Sequence, residues 1–204
     1  MAVVSDRQKW IFQKKEMLCL LISALVIFCY PILLFAQSDE GYIPARSGIS
    51  LNAGYTYDPS DGAFFSQISL FRLYDYEEIW KHKAPDNLRF KVEGSVGSAL
   101  LDDGDVKVIA NTGMLALIYL DRFETNRIKP YLEAGIGVIY TDYRVKGQGY
   151  RINFNPQAGI GIEFKGEKNQ NRFISFRMHH ISNAGIGSSN RGQNTIVFAI
   201  GQYF

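Results

Sequence analysis

The sequence predicts an all-β fold, an eight-stranded antiparallel transmembrane β-barrel of the outer-membrane type. Three observations carry this reading. Apolar and polar residues alternate with a period of two, the pattern recurs eight times, and an uncharged apolar segment of export character precedes it.

Residues 1–36 are expected to be a signal peptide. Arg7, Lys9, Lys14 and Lys15 form a basic start, Met17 to Phe35 carries no charge, and small Ala36 is followed by the polar run Gln37, Ser38, Asp39 and Glu40. An uncleaved anchor is the alternative, because 19 apolar residues are long enough to span a bilayer. Pro31 and Ala36 favour cleavage. Both cysteines, Cys19 and Cys29, lie in this segment, so residues 37–204, the single barrel domain, hold no disulfide and no thiol chemistry. Removing residues 1–36 takes away four basic and two acidic residues and leaves 18 of each sign. A neutral domain gives no support to nucleic-acid binding.

The first strand is expected near 48–57, where Ile49, Leu51, Ala53, Tyr55 and Tyr57 alternate with Ser50, Asn52, Gly54, Thr56 and Asp58. A second, over 63–74, alternates less cleanly. The third, 88–101, sets Leu88, Phe90, Val92, Val96 and Leu100 against Arg89, Lys91, Glu93 and Ser95. A fourth over 106–120 is again less regular, and a fifth covers 128–142. The sixth, 150–164, is the clearest: Ile152, Phe154, Pro156, Ala158, Ile160, Ile162 and Phe164 occupy one face, with polar residues and glycines on the other. The last two cover 173–182 and 195–204. Turn residues separate them, as in Asp58-Pro59-Ser60-Asp61-Gly62 and Asp102-Asp103-Gly104-Asp105.

These strands are longer than those of soluble sheets and suit the roughly 9–11 tilted residues that cross a bilayer. A soluble lipocalin-like barrel also has eight strands, but with its apolar face inward. Polar faces crowded with Gly, Asn, Ser and Arg fit a narrow polar lumen and favour the membrane barrel. The chain ends on Tyr203-Phe204, which resembles the terminal signal read by barrel-assembly machinery, although Gln202 falls where an apolar residue is expected. With both termini in the periplasm, the seventh strand ends at the outer surface.

That strand and its loop read Phe173 to Gly185. Ile174, Phe176 and Met178 share their face with His180 and Ser182, whereas Ser175, Arg177 and His179 share the other. His180 and Ser182 therefore stand on the lipid-directed face, where polar side chains have no packed lumen to serve. An imidazole and a hydroxyl two residues apart on one face are the minimum for a base-activated serine; an interfacial pair touching headgroups is the plainer alternative. Asn194 shares a face with Ile196, Phe198 and Ile200 and is placed to meet the pair across the hairpin. His179 is expected to hydrogen-bond in the lumen, and His82 to lie in a periplasmic turn. No metal-ligand spacing occurs; the aspartates around Gly104 are too few for a calcium loop and read as a solvated turn.

His180-Ile181-Ser182-Asn183-Ala184-Gly185, followed by Asn190, Gly192 and Asn194, resembles the C-terminal hairpin of the PagL family, the outer-membrane lipid A 3-O-deacylases. Upstream, Lys129 to Val138 is similar to the corresponding strand of that family. The resemblance implies a serine esterase on the outer wall of a bacterial outer-membrane barrel, acting on lipid A of lipopolysaccharide in the outer leaflet, without a cofactor. By matching position, Ser182 would be the nucleophile and His180 the general base, with Asn183 and the amides near Ala184 and Gly185 forming the oxyanion site. The sequence departs from the family at the third member: fourteen residues after the histidine, where the family has Glu, stands Asn194. An amide orients an imidazole but brings no charge. The rival reading is therefore a non-catalytic barrel with a structural or lipid-binding role, including a decayed deacylase.

Overall fold

Residues long enough to cross a bilayer as tilted strands must pair every backbone group, and a closed sheet does so without edges. The computed structural model describes residues 45–59, 63–166 and 171–204. Among these, eight strands follow in order: β1 (Arg46–Asp58), β2 (Ala63–Asp75), β3 (Leu88–Leu101), β4 (Val106–Tyr119), β5 (Ile128–Thr141), β6 (Ile152–Phe164), β7 (Arg172–Ile181) and β8 (Gln193–Tyr203). Each pairs antiparallel with its neighbour, and β8 closes on β1. A five-residue helix, α1 (Tyr76–Trp80), follows β2, with Asp75 accepting from the Glu77 amide at its start. That helix was not expected from the sequence; His82 lies just beyond it, in the β2–β3 connection at the end of the barrel where β1 begins and β8 ends. The expected signal peptide, 1–36, falls outside the described residues.

The faces decide between the two kinds of barrel. Leu51, Ile68, Val96, Ile160 and Ile200 are each more than half exposed, whereas Ser50, Asn52, Gln67, Glu133 and Arg177 are buried. Apolar outside and polar inside is the membrane arrangement and the inverse of a lipocalin.

The lumen is more varied than the sequence reading expects. An eight-stranded barrel is just wide enough for side chains to fill. At mid-height the filling is ionic: the Arg177 guanidinium donates to Glu93 Oε1 at 2.5 Å and Gln157 Oε1 at 2.9 Å, and Lys91 pairs with Glu133. His179 joins this layer through Asn155, 3.3 Å away. Toward the end where β1 begins and β8 ends the lumen is aromatic and apolar, with Phe71, Leu73, Leu117, Tyr131, Phe173 and Tyr203. Toward the other end Phe65, Ile109, Ile139, Tyr143, Ile181 and Val197 fill it. These inward Phe and Leu residues on β2 and β4 are why those two strands alternate poorly in sequence.

Two loops cover the second end. Tyr143 and Val145 of the β5–β6 loop turn inward, and burial pushes the Tyr143 hydroxyl up to about 12. The β7–β8 loop is tied to it: Arg191 N–H donates to Gly147 O (2.9 Å), Gly149 N–H to Ser189 O (3.0 Å) and Ser189 Oγ to Gly147 O (2.6 Å). Beneath them Gln193 Nε2 donates to Gln148 Oε1 at 2.9 Å.

Candidate active site on the barrel wall

The ladder itself brings two of the expected residues together. In the β7–β8 register His180 lies directly opposite Asn194, both on the outward face. Their side chains meet, with His180 Nδ1 2.7 Å from Asn194 Oδ1. An amide oxygen only accepts, so this bond requires the proton on Nδ1 and leaves Nε2 with its lone pair.

Ser182 follows β7 and exchanges both backbone hydrogen bonds with Phe154, at 2.8 and 3.1 Å. Between these two residues the same register places Pro156 opposite His180. Proline has no N–H to give, so the ladder is interrupted beside the histidine and resumes at the serine. Among the described residues no hydrogen bond joins the Ser182 hydroxyl to His180. The β7–β8 register, continued one step past Ile181, puts Gly192 opposite Ser182. A Cβ on Gly192 would sit 2.7 Å from His180 Cε1 and 3.2 Å from Nε2. The basic edge of the imidazole thus lies over Gly192, at the level of Ser182, and a Cβ there would require the ring to shift.

The loop after Ser182 differs in detail from the oxyanion site that the resemblance implies. Asn183 is buried; its N–H donates to Asn190 Oδ1 (2.9 Å) and its Nδ2 to Ser189 O (2.9 Å). Its Oδ1 accepts from Gly185 N–H at 3.0 Å, and Ile186 N–H donates to Asn183 O at 3.1 Å. Ala184 and Gly185 both have positive φ, 54° and 78°, as in a type I′ turn. The amides of Asn183 and Gly185 are therefore committed within the loop. Of the backbone amides from 183 to 186, Ala184 N–H alone has no protein partner among the described residues. Holding a non-glycine residue at positive φ costs about 1 kcal/mol and is tolerated where the surroundings fix it.

The sequence reading missed one group entirely. Asn194 Nδ2 donates to Asp58 Oδ2 at 2.9 Å, and Asp58 Oδ1 accepts from Arg191 at 2.5 Å. Alternation along β1 assigns Asp58 to the lumen. A bulge between Thr56 and Asp58 shifts the β1–β8 register and sets Asp58 opposite Asn194 instead.

The described barrel resembles solved structures. The crystal structure of the outer membrane enzyme PagL superposes with a TM-score of 0.52 at 24% identity, covering 76% of this chain and 97% of that one. The crystal structure of Neisserial surface protein A gives 0.50 at 15% identity, covering 78% and 94%. At such identities the fold alone is shared, and small barrels differ widely in what they do. Sequence is more discriminating. The lipid A deacylase PagL of Pseudomonas aeruginosa is 28% identical over 160 residues, 77% of this chain and 83% of that protein. The profile of the family described as lipid A 3-O-deacylase (PagL) matches residues 67–202, which include β7, its loop and β8 as far as Gln202. An outer-membrane barrel matched by that profile over most of its length belongs to the lipid A 3-O-deacylase (PagL) family.

Proposed function

We propose that this outer-membrane hydrolase removes the ester-linked 3-O-acyl chain of lipid A with Ser182 as nucleophile and His180 as general base. The observation that carries this reading is the His180–Asn194 hydrogen bond on the outward wall, one residue along that face from Ser182. The bond leaves Nε2 free to take the Ser182 proton as the hydroxyl attacks the ester carbonyl. Ala184 N–H is the backbone donor available to the developing oxyanion, with Asn183 and Gly185 holding its turn in shape rather than donating themselves. The imidazolium then protonates the departing sugar oxygen, and the acyl-enzyme is hydrolysed by a water that His180 deprotonates. Every step is a proton transfer or an acyl transfer, so the chain's own residues suffice and no cofactor is invoked.

A substrate whose acyl chains lie against the barrel reaches this site by lateral diffusion, because the site faces lipid rather than the lumen. This requires the loop end of the barrel to meet the outer leaflet, the orientation expected when both termini lie in the periplasm.

The test is mass spectrometry of lipid A incubated with the refolded protein. Loss of one 3-hydroxyacyl chain is expected, with Ser182→Ala and His180→Ala each removing nearly all turnover. His179→Ala should retain most of it, since His179 faces the lumen. Full turnover in Ser182→Ala would sink the assignment.

A further inference from the structure

We infer that Asp58 is a positioning residue of this site: it fixes which way round Asn194 presents its amide and thereby sets the tautomer of His180. The inference rests on the proposed hydrolase reading and extends it to the position where a triad acid is missing.

An asparagine at position 194 is ambiguous in isolation. Its oxygen toward His180 Nδ1 demands an Nδ1–H imidazole, with a basic Nε2. Its NH₂ toward Nδ1 demands the opposite tautomer, in which Nε2 carries the proton and the ring cannot act as base toward Ser182. Replacing a triad acid by its amide in serine proteases loses about 10⁴ in turnover for this reason.

Here the ambiguity is removed by a group that accepts only. Asp58 Oδ2 takes a hydrogen bond from Asn194 Nδ2 at 2.9 Å, which turns Asn194 Oδ1 to His180 Nδ1 at 2.7 Å. Three elements contribute one residue each: His180 from β7, Asn194 from β8 and Asp58 from the bulged end of β1. A fourth residue, Arg191 from the β7–β8 loop, holds the other carboxylate oxygen at 2.5 Å.

Orientation, not charge, is what Asp58 contributes. The Asp58 and Arg191 side chains are 40% and 46% exposed, so their opposite charges nearly cancel and solvent screens what remains. A carboxylate so neutralised does little for an imidazolium one amide away. It does enough to choose between two amide orientations, because the wrong one sets two acceptor oxygens against each other.

The experiment reads the His180 tautomer directly. ¹⁵N-histidine-labelled full-length protein is refolded in detergent, and the His180 ring signals are identified by their loss in His180→Gln. Wild type is expected to show protonated Nδ1 and unprotonated Nε2 at neutral pH. Asp58→Ala should convert a large share of His180 to the Nε2–H form and lower kcat at least about ten-fold with KM within about two-fold. Asp58→Asn, which keeps the volume, should lie between the two. In the Asn194→Glu background the sign should reverse, because a carboxylate at 194 has no N–H to give Asp58 and two acceptors face each other. Asp58→Asn then supplies an N–H that holds the new carboxylate toward His180, and should raise kcat.

An unchanged His180 tautomer in a folded Asp58→Ala barrel would overturn the inference, as would equal losses from Asp58→Asn in both backgrounds. Absence of turnover in every form would instead remove the hydrolase reading, and the tautomer measurement would still decide the role of Asp58.

Discussion

Gly192 is the residue on which the proposed catalytic geometry turns most sharply. The imidazole edge of His180 lies where a Cβ at position 192 would stand, 2.7 Å from Cε1. The ring can yield there only by bending or giving up its bond from Nδ1 to Asn194. Gly192→Ala should therefore tilt the ring, break its bond to Asn194 or move Nε2 from Ser182, and lower kcat by about 10². The barrel should refold as before, since Gly192 precedes β8 and packs in no core cluster. Wild-type kcat in Gly192→Ala would show that the ring is not held where this geometry puts it.

At the scale of the element, the β7–β8 loop is a hydrogen-bonded scaffold rather than a flexible connection. Asn183 contributes three of its bonds, to Asn190, Ser189 and Gly185. Together they keep Ala184 at φ 54°, two residues beyond the proposed nucleophile Ser182, with its N–H unpartnered among the described residues. Asn183→Ala keeps its two backbone bonds, to Asn190 and from Ile186 N–H, but loses both side-chain bonds, so the turn should relax and carry the Ala184 amide away. A loss of about 10²–10³ in kcat is expected, the size seen when one oxyanion donor is removed. Ala184→Gly relieves the positive-φ cost and should leave turnover within a few-fold. If Asn183→Ala matched wild type, the oxyanion donor would have to be sought outside this loop.

Across the whole molecule, the ionic layer that stabilises the lumen and the proposed catalytic site lie on opposite faces of the same wall. Arg177 joins Glu93 and approaches Glu133 in the buried lumen, 84 and 44 residues away in the chain. Arg177→Ala strands a carboxylate in a space that water barely reaches, a loss of about 3–5 kcal/mol. Urea unfolding of the refolded barrel in detergent should show that loss, while kcat per folded molecule changes little. Coupled losses of stability and kcat would mean that the lumen layer reaches the outer wall. Outward positions obey a different rule. Leu51→Arg places a cation against lipid and is expected to cost about 2–4 kcal/mol near mid-membrane.

Much of this was legible because a strand is a local object. Steric alternation along the backbone fixes which residues share a face, so eight strands, the outward His180, Ser182 and Asn194, and the inward His179 all follow from reading every second residue. The partnership of His180 with Asn194 was also legible, since adjacent strands joined by one loop must pair. What alternation could not supply was anything that depends on closure. Asp58 lies 136 residues from Asn194, and the strands that carry them meet only where β8 returns to β1. Even then strict alternation sends Asp58 to the lumen; one extra residue in a bulge turns it to the site. The amides of Asn183 and Gly185 were likewise placed by hydrogen bonds within a folded loop, which no period describes. Local sterics wrote the faces of the strands, and long-range backbone pairing decided which side chain on those faces completes the site.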